Sequence, residues 1–227
     1  GKGGALYCVD VTYIQIWNNS LTHNEASSHG GAIFIEEKVS LKHKQKSKAP
    51  KHTLLLINCL FSGNKVKLHG GSLFVVNLNV TAIIGNYFIL NQAERNGGVM
   101  AALGVTIISV IKSVFQSNFA KSGSSLHVSK SGLLTNYHCY FVRNTGIILG
   151  TVAVEDGIVK NSYCSFYQNS AKSGGAMSIS HVHIGQNIGC TFKKNRAHKL
   201  GGAVSVNDIK YFVNIRTDYH DNKGQEN

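Results

Sequence analysis

Apolar residues along this chain fall in short runs that alternate with polar ones at a period of two, the spacing that returns successive strand side chains to one face. Ile33 and Ile35, Leu73 and Val75, Leu126 and Val128, and Val204 and Val206 form one such face, while Phe34, Phe74 and His127 point the other way. Denser runs such as Leu54-Leu55-Leu56-Ile57 and Val105-Thr106-Ile107-Ile108 predict a further strand. No stretch carries the helical period over the ~10–12 residues that a crossover helix requires, which excludes a βαβ arrangement. The Leu-x-Leu pattern of a leucine-rich repeat, with a ladder Asn at its own spacing, is also absent.

The strands keep a common clock. Asn24, Asn64, Asn91, Asn118, Asn144, Asn169, Asn195 and Asn222 each stand three places after a large apolar side chain, namely Leu21, Phe61, Phe88, Phe115, Phe141, Phe166, Phe192 and Tyr219. The intervals between successive asparagines are nearly equal, and the one exception is the long interval from Asn24 to Asn64. A Gly-Gly corner, whose second position is Gly4, Gly31, Gly71, Gly98, Ser124, Gly150, Gly175 and Gly202, keeps the same time. Two markers in register define a repeat.

Each unit has room for one coil of a solenoid, with three strands and three turns. The sequence thus predicts an all-β fold, a right-handed parallel β-helix (β-solenoid) of about eight coils, each of about 26 residues. It forms a single domain over 1–227, with one lysine-rich loop insertion at 38–52 that accounts for the long interval. Phe61, Phe88, Phe115, Phe141, Phe166 and Phe192 are expected to stack in one internal column at the ~4.8 Å strand spacing. Asn24, Asn64, Asn91, Asn118, Asn144, Asn169 and Asn195 are expected to occupy left-handed turn positions and to pass amide hydrogen bonds from coil to coil. The Gly-Gly pair supplies a corner with positive φ, and the small residue after it lets the chain run close to the axis. Both ends of the chain cut through a unit, so it is expected to be part of a longer solenoid that self-associates end to end or frays.

The paired motifs Phe166-x-x-Asn169 with Gly174-Gly175-Ala176-Met177, and Phe192-x-x-Asn195 with Gly201-Gly202-Ala203-Val204, resemble the repeats of the chlamydial polymorphic membrane proteins. The resemblance covers about eight units. It implies a β-helix passenger region displayed outside the cell, extracellular or at the cell surface, and in the bacterial family an adhesive role. It is far less specific for activity than for architecture. A eukaryotic secreted or tethered relative fits equally, and Asn18 and Asn79 then begin N-glycosylation acceptor patterns.

Charge narrows the partners. The net charge of +12 favours anionic surfaces, but only four of the 23 basic residues are arginine, which argues against sequence-specific nucleic-acid reading. Lys38, Lys42, Lys44, Lys46, Lys48 and Lys51 form a run with no acidic residue between them, a candidate contact for anionic glycans, anionic lipid or phosphate. Another cell-surface protein is the other expected partner. The longest apolar stretch, Gly98 to Ile111, is too short for a membrane-spanning helix.

Five cysteines and eleven histidines raise the question of metal or redox chemistry. Cys59, Cys139, Cys164 and Cys190 each stand two places before the column aromatic and so are expected to point inward as small buried residues. A disulfide among Cys139, Cys164 and Cys190 is compatible with the coil spacing but marginal in geometry. His29 and His69 belong on adjacent coils, and His181 and His183 on one strand face, without the third ligand a metal site needs. No metal or cofactor is expected. A carbohydrate-active enzyme, a lyase or hydrolase of an acidic polysaccharide, is the alternative function, because such β-helices converge two or three carboxylates. Here Glu36, Glu155, Asp156 and Asp208 are assigned to the second, sixth and eighth coils and are expected not to meet, and Glu37 and Glu94 lack partners. A non-catalytic structural, adhesive or ligand-binding module is therefore the expectation.

Overall fold

The computed structural model describes residues 1–38 and 52–224. It is a stack of eight coils of parallel strands, and no helix occurs among the described residues. Each coil except the sixth and seventh carries four short strand segments rather than three. In the third coil these are Leu73–Val76, Val80–Ile84, Tyr87–Ile89 and Gln92–Ala93, each paired in parallel with its equivalents in the second and fourth coils. The third and fourth segments build two eight-stranded sheets. The first and second merge into one fourteen-stranded sheet, because in the sixth and seventh coils they fuse into Val152–Ser162 and Met177–Ile188.

The corners explain the extra strand. In the fifth coil the chain bends at Lys130, His138 and Arg143, all with φ between 50° and 53°, and at Gly123 with φ 61°. Left-handed backbone costs a non-glycine residue about 1–2 kcal/mol, so a repeat of such corners persists only where neighbouring contacts hold it. The ladder asparagines are not these residues, contrary to expectation. The left-handed position is the one immediately before each of them: His23, Gly63, Leu90, Ser117, Arg143, Gln168, Lys194 and Asp221.

What holds the corners is the amide ladder. Asn91 Oδ1 accepts from the backbone N–H and the Nδ2 of Asn64, while Asn91 Nδ2 donates to Asn118 Oδ1 and to the carbonyl of Phe61. The pattern runs from Asn24 to Asn222 with Nδ2–Oδ1 distances of 2.9–3.1 Å. Burying an amide without partners would cost about 1–3 kcal/mol, and here each from Asn64 to Asn195 is satisfied by the coils on either side. Beside the ladder run Phe61, Phe88, Phe115, Phe141, Phe166 and Phe192, with ring centroids 4.6–5.0 Å apart, and Tyr219 continues the stack at 4.9 Å. All six phenylalanines are fully buried.

The Gly-Gly corner has two separate reasons for its composition. Gly70 adopts φ 74°, whereas at Gly71 a Cβ would overlap the carbonyl oxygen of Gly98 on the next coil. Ser124 takes the second position in the fifth coil. There the run of backbone bridges through Lys2, His29, His69, Asn96 and Ser122 is interrupted, and bridging resumes only at Leu149 and Ser173.

A second stack forms outside the core. Phe34 faces away from the axis yet is only 1% exposed, since Tyr7, His29, Phe74 and the Lys2 ammonium cover its ring. The insertion leaves and rejoins the second coil between Ile33–Glu36 and Thr53–Ile57. Its base is clamped: Lys38 N–H donates to Asp10 Oδ1, His52 N–H donates to Asn79 Oδ1, and His52 Nε2 lies 3.5 Å from Glu37.

Candidate functional site

Stacking consumes the interior, so chemistry with a partner falls to the outer faces. One concavity lies where the third strand turns into the fourth in the last four coils. Arg143, Gln168 and Lys194 occupy the left-handed position before the ladder asparagine, and Ser170, Arg196 and Lys223 the position after it. Together with Asp221 they line an open groove of about 720 Å³. Arg143 Nε donates to Gln168 Oε1 at 3.1 Å, which holds the guanidinium along the groove. Among the described residues none of the four cations is in an ion pair. The same edge in the first three coils is different, because Glu25, Lys65, Lys67 and Glu94 intersperse both signs.

This groove was not legible as a run in the chain. Its cations are scattered from Arg143 to Lys223 and share only their phase relative to Asn144, Asn169, Asn195 and Asn222. Reading the residues that flank each ladder asparagine is the signal that finds it. Of the lysine run, Lys38 lies at the clamped base of the insertion, and Lys42, Lys44, Lys46, Lys48 and Lys51 lie outside the described residues. Asn18 is exposed on a left-handed turn, whereas Asn79 is partly buried with its Oδ1 engaged by His52.

Two of the acidic residues, assigned to coils that are not adjacent, line one cleft. Asp156, His181 and Asp208 occupy the same left-handed corner in the sixth, seventh and eighth coils, so Asp156 and Asp208 line one cleft with His181 between them. His181 Nε2 approaches Asp208 at 3.7 Å, and both side chains are more than half exposed. Spacing along the chain hid this, since one coil separates the two carboxylates.

The other titratable groups divide between shell and core. His29 and His69 stack at 5.4 Å, and the column continues to Asn96, whose Nδ2 lies 3.2 Å from His127 Nε2. Burial, helped by the charge of Lys2, lowers the pKa of His29, and burial with His29 lowers that of His69. His127 is pushed down to about 4, chiefly by burial and secondarily by His69. No three His, Cys, Asp or Glu side chains among the described residues form a metal set.

All five thiols are free, and Cys59, Cys139, Cys164 and Cys190 point into the core. They do more than fill space. Each donates its S–H to the carbonyl two places back, across the left-handed corner, at 3.2–3.5 Å. At the same phase Asn19, Asn86, Ser113 and Thr217 make the same bond with amide or hydroxyl donors. Hydrogen bonding to the Cys139 and Cys190 thiols, with burial, holds Cys164 far above the ordinary thiol range.

The geometry defines a parallel β-solenoid with repeated internal Asn and Phe ladders. A model of the Chlamydia polymorphic membrane protein (Chlamydia_PMP) repeat matches residues 189–207, the segment that holds Phe192, Asn195 and the Gly201-Gly202-Ala203 corner. The chain is similar to that repeat there, and the other coils carry the same ladders and corners. No curated protein and no solved structure matches the chain.

Proposed function

We propose that the chain is a non-catalytic module of a cell-surface protein that works by holding rigid lateral faces in place for adhesion or ligand contact. The observation that carries this is the disposition of its acidic residues: among the described residues no aspartate or glutamate is buried. Carboxylates acting as general acids are ordinarily tuned by burial or by a close second carboxylate. The buried asparagine amides serve the ladders instead. Similarity to a repeat named for membrane proteins supports the surface assignment. Surface labelling of cells that express the intact protein, with binding of protein-coated beads to host or neighbour cells, tests the reading. Recovery of the protein only in the cell interior would sink it.

The corner with Asp156, His181 and Asp208 favours one second reading, action on an acidic polysaccharide. Incubation with polygalacturonate and with sulfated glycans, read by reducing ends and by absorbance of unsaturated products, decides between them. Turnover that Asp156→Asn and Asp208→Asn both abolish would establish the enzyme and displace the binding module.

A further inference from the structure

We infer that the groove lined by Arg143, Lys194, Arg196 and Lys223 is a binding site for a linear acidic polysaccharide that lies along the solenoid axis. The inference deepens the surface-module reading and rests on it for access to such a polymer. Three observations converge. The cations stand on the fifth, seventh and eighth coils, so they span about 14 Å at the ~4.8 Å strand spacing, a length suited to an extended polymer and too long for one phosphate. They face a single carboxylate, Asp221, and have no ion-pair partner among the described residues. Two of the chain's four arginines are among them, and the planar guanidinium fork matches sulfate and carboxylate oxygens better than an ammonium does.

The positions are also fixed before any ligand arrives. Arg143, Gln168 and Lys194 sit at φ 53–55° directly before asparagines whose amides are bonded to both neighbouring coils. Arg196 follows Asn195 and Lys223 follows Asn222, and their N–H groups bond the carbonyls of Asn169 and Asn195. Fixed backbone reduces the ordering that binding requires to that of the side chains. Gln168 and Ser170 add neutral polar groups between the cations, suited to sugar hydroxyls. No aromatic ring lines the groove, so the stacking platform of single-stranded nucleic-acid sites is missing.

The test uses the purified chain and needs no assumption about where the protein resides. A heparin-derived octasaccharide, a carboxylate-only oligogalacturonate and a single-stranded DNA of equal charge are titrated by calorimetry at two salt concentrations. The variants are Arg143→Gln/Lys194→Gln/Arg196→Gln and a control of equal charge change in the insertion, Lys42→Gln/Lys44→Gln/Lys48→Gln. Circular dichroism and melting confirm that each is folded. The expected result is salt-sensitive binding of at least one glycan, weakened tenfold or more by the groove variant and distinctly less by the control. Comparing the two glycans tells sulfate from carboxylate recognition. Equal losses in both variants, no loss in the groove variant, or DNA bound as tightly as either glycan would overturn the inference. None of these outcomes bears on surface localisation, whose failure is read in the labelling experiment.

Discussion

Asn118 shows how one side chain can hold three coils. Its Oδ1 accepts from the backbone N–H and Nδ2 of Asn91, and its Nδ2 donates to Asn144 and to the carbonyl of Phe88. Asn118→Leu keeps the branched heavy-atom shape and removes all four bonds, stranding buried donors and acceptors at about 1–3 kcal/mol each. A loss of about 3 kcal/mol or more is expected from denaturant unfolding; an unchanged midpoint would show that the ladder adds no stability. His127 makes a prediction about acid. Its folded pKa of about 4 lies below the ordinary value near 6.5, so between these limits the unfolded chain binds a proton that the native state refuses. Stability is therefore complete above pH ~6.5 and falls as pH drops toward 4, by on the order of 3 kcal/mol over the window. The lowered pKa values of His29 and His69 act in the same direction. His127→Phe keeps a buried ring at that position and removes its own share, so its melting temperature should fall less between pH 7.5 and 5 than that of the wild type. An equal fall would assign the acid sensitivity elsewhere.

At the scale of the strand and its corner, the inner thiols behave as one rung type in a mixed column. Ser113 and Thr217 donate to the equivalent carbonyl from the same phase, so Cys164→Ser should melt within about 1 kcal/mol of wild type, while Cys164→Val removes one of the two donors to the Ser162 carbonyl, which keeps the His138 N–H, and costs about 0.5–1.5 kcal/mol more. A greater loss for serine than for valine would mean that the thiols serve only as apolar filler. This column was hidden in the sequence because Asn, Cys, Ser and Thr share it, and no single letter recurs. The Phe column and Asn ladder were legible for the opposite reason: only one residue type meets each demand in nearly every coil. The left-handed corners gave no signal, since His23, Leu90, Lys112 and Tyr163 all accept the conformation once the ladder beside them absorbs the strain.

Over the whole molecule, order along the axis turns phase into proximity. Arg143 and Lys223 are distant in sequence yet only three coils apart in space, which is why a run of neighbouring lysines was visible and the groove was not. The same axis carries a direction. Every ladder amide from Asn24 to Asn195 sends one N–H to the amide oxygen of the following coil, and in the parallel run Asn136, Asn161 and Asn187 do the same, the last to Asn214. Their dipoles add rather than cancel, like the peptide units of a helix. The solenoid is thus a polar rod, electropositive at the Asn222 end and electronegative at the Asn24 end. A coil that continues the ladder beyond Asn222 must offer an oxygen, and one that precedes Asn24 must offer an N–H. Like ends cannot extend it through these amides, so copies joined along the ladder stack head to tail, and such a heterologous contact generates a filament with a plus and a minus end instead of a closed dimer.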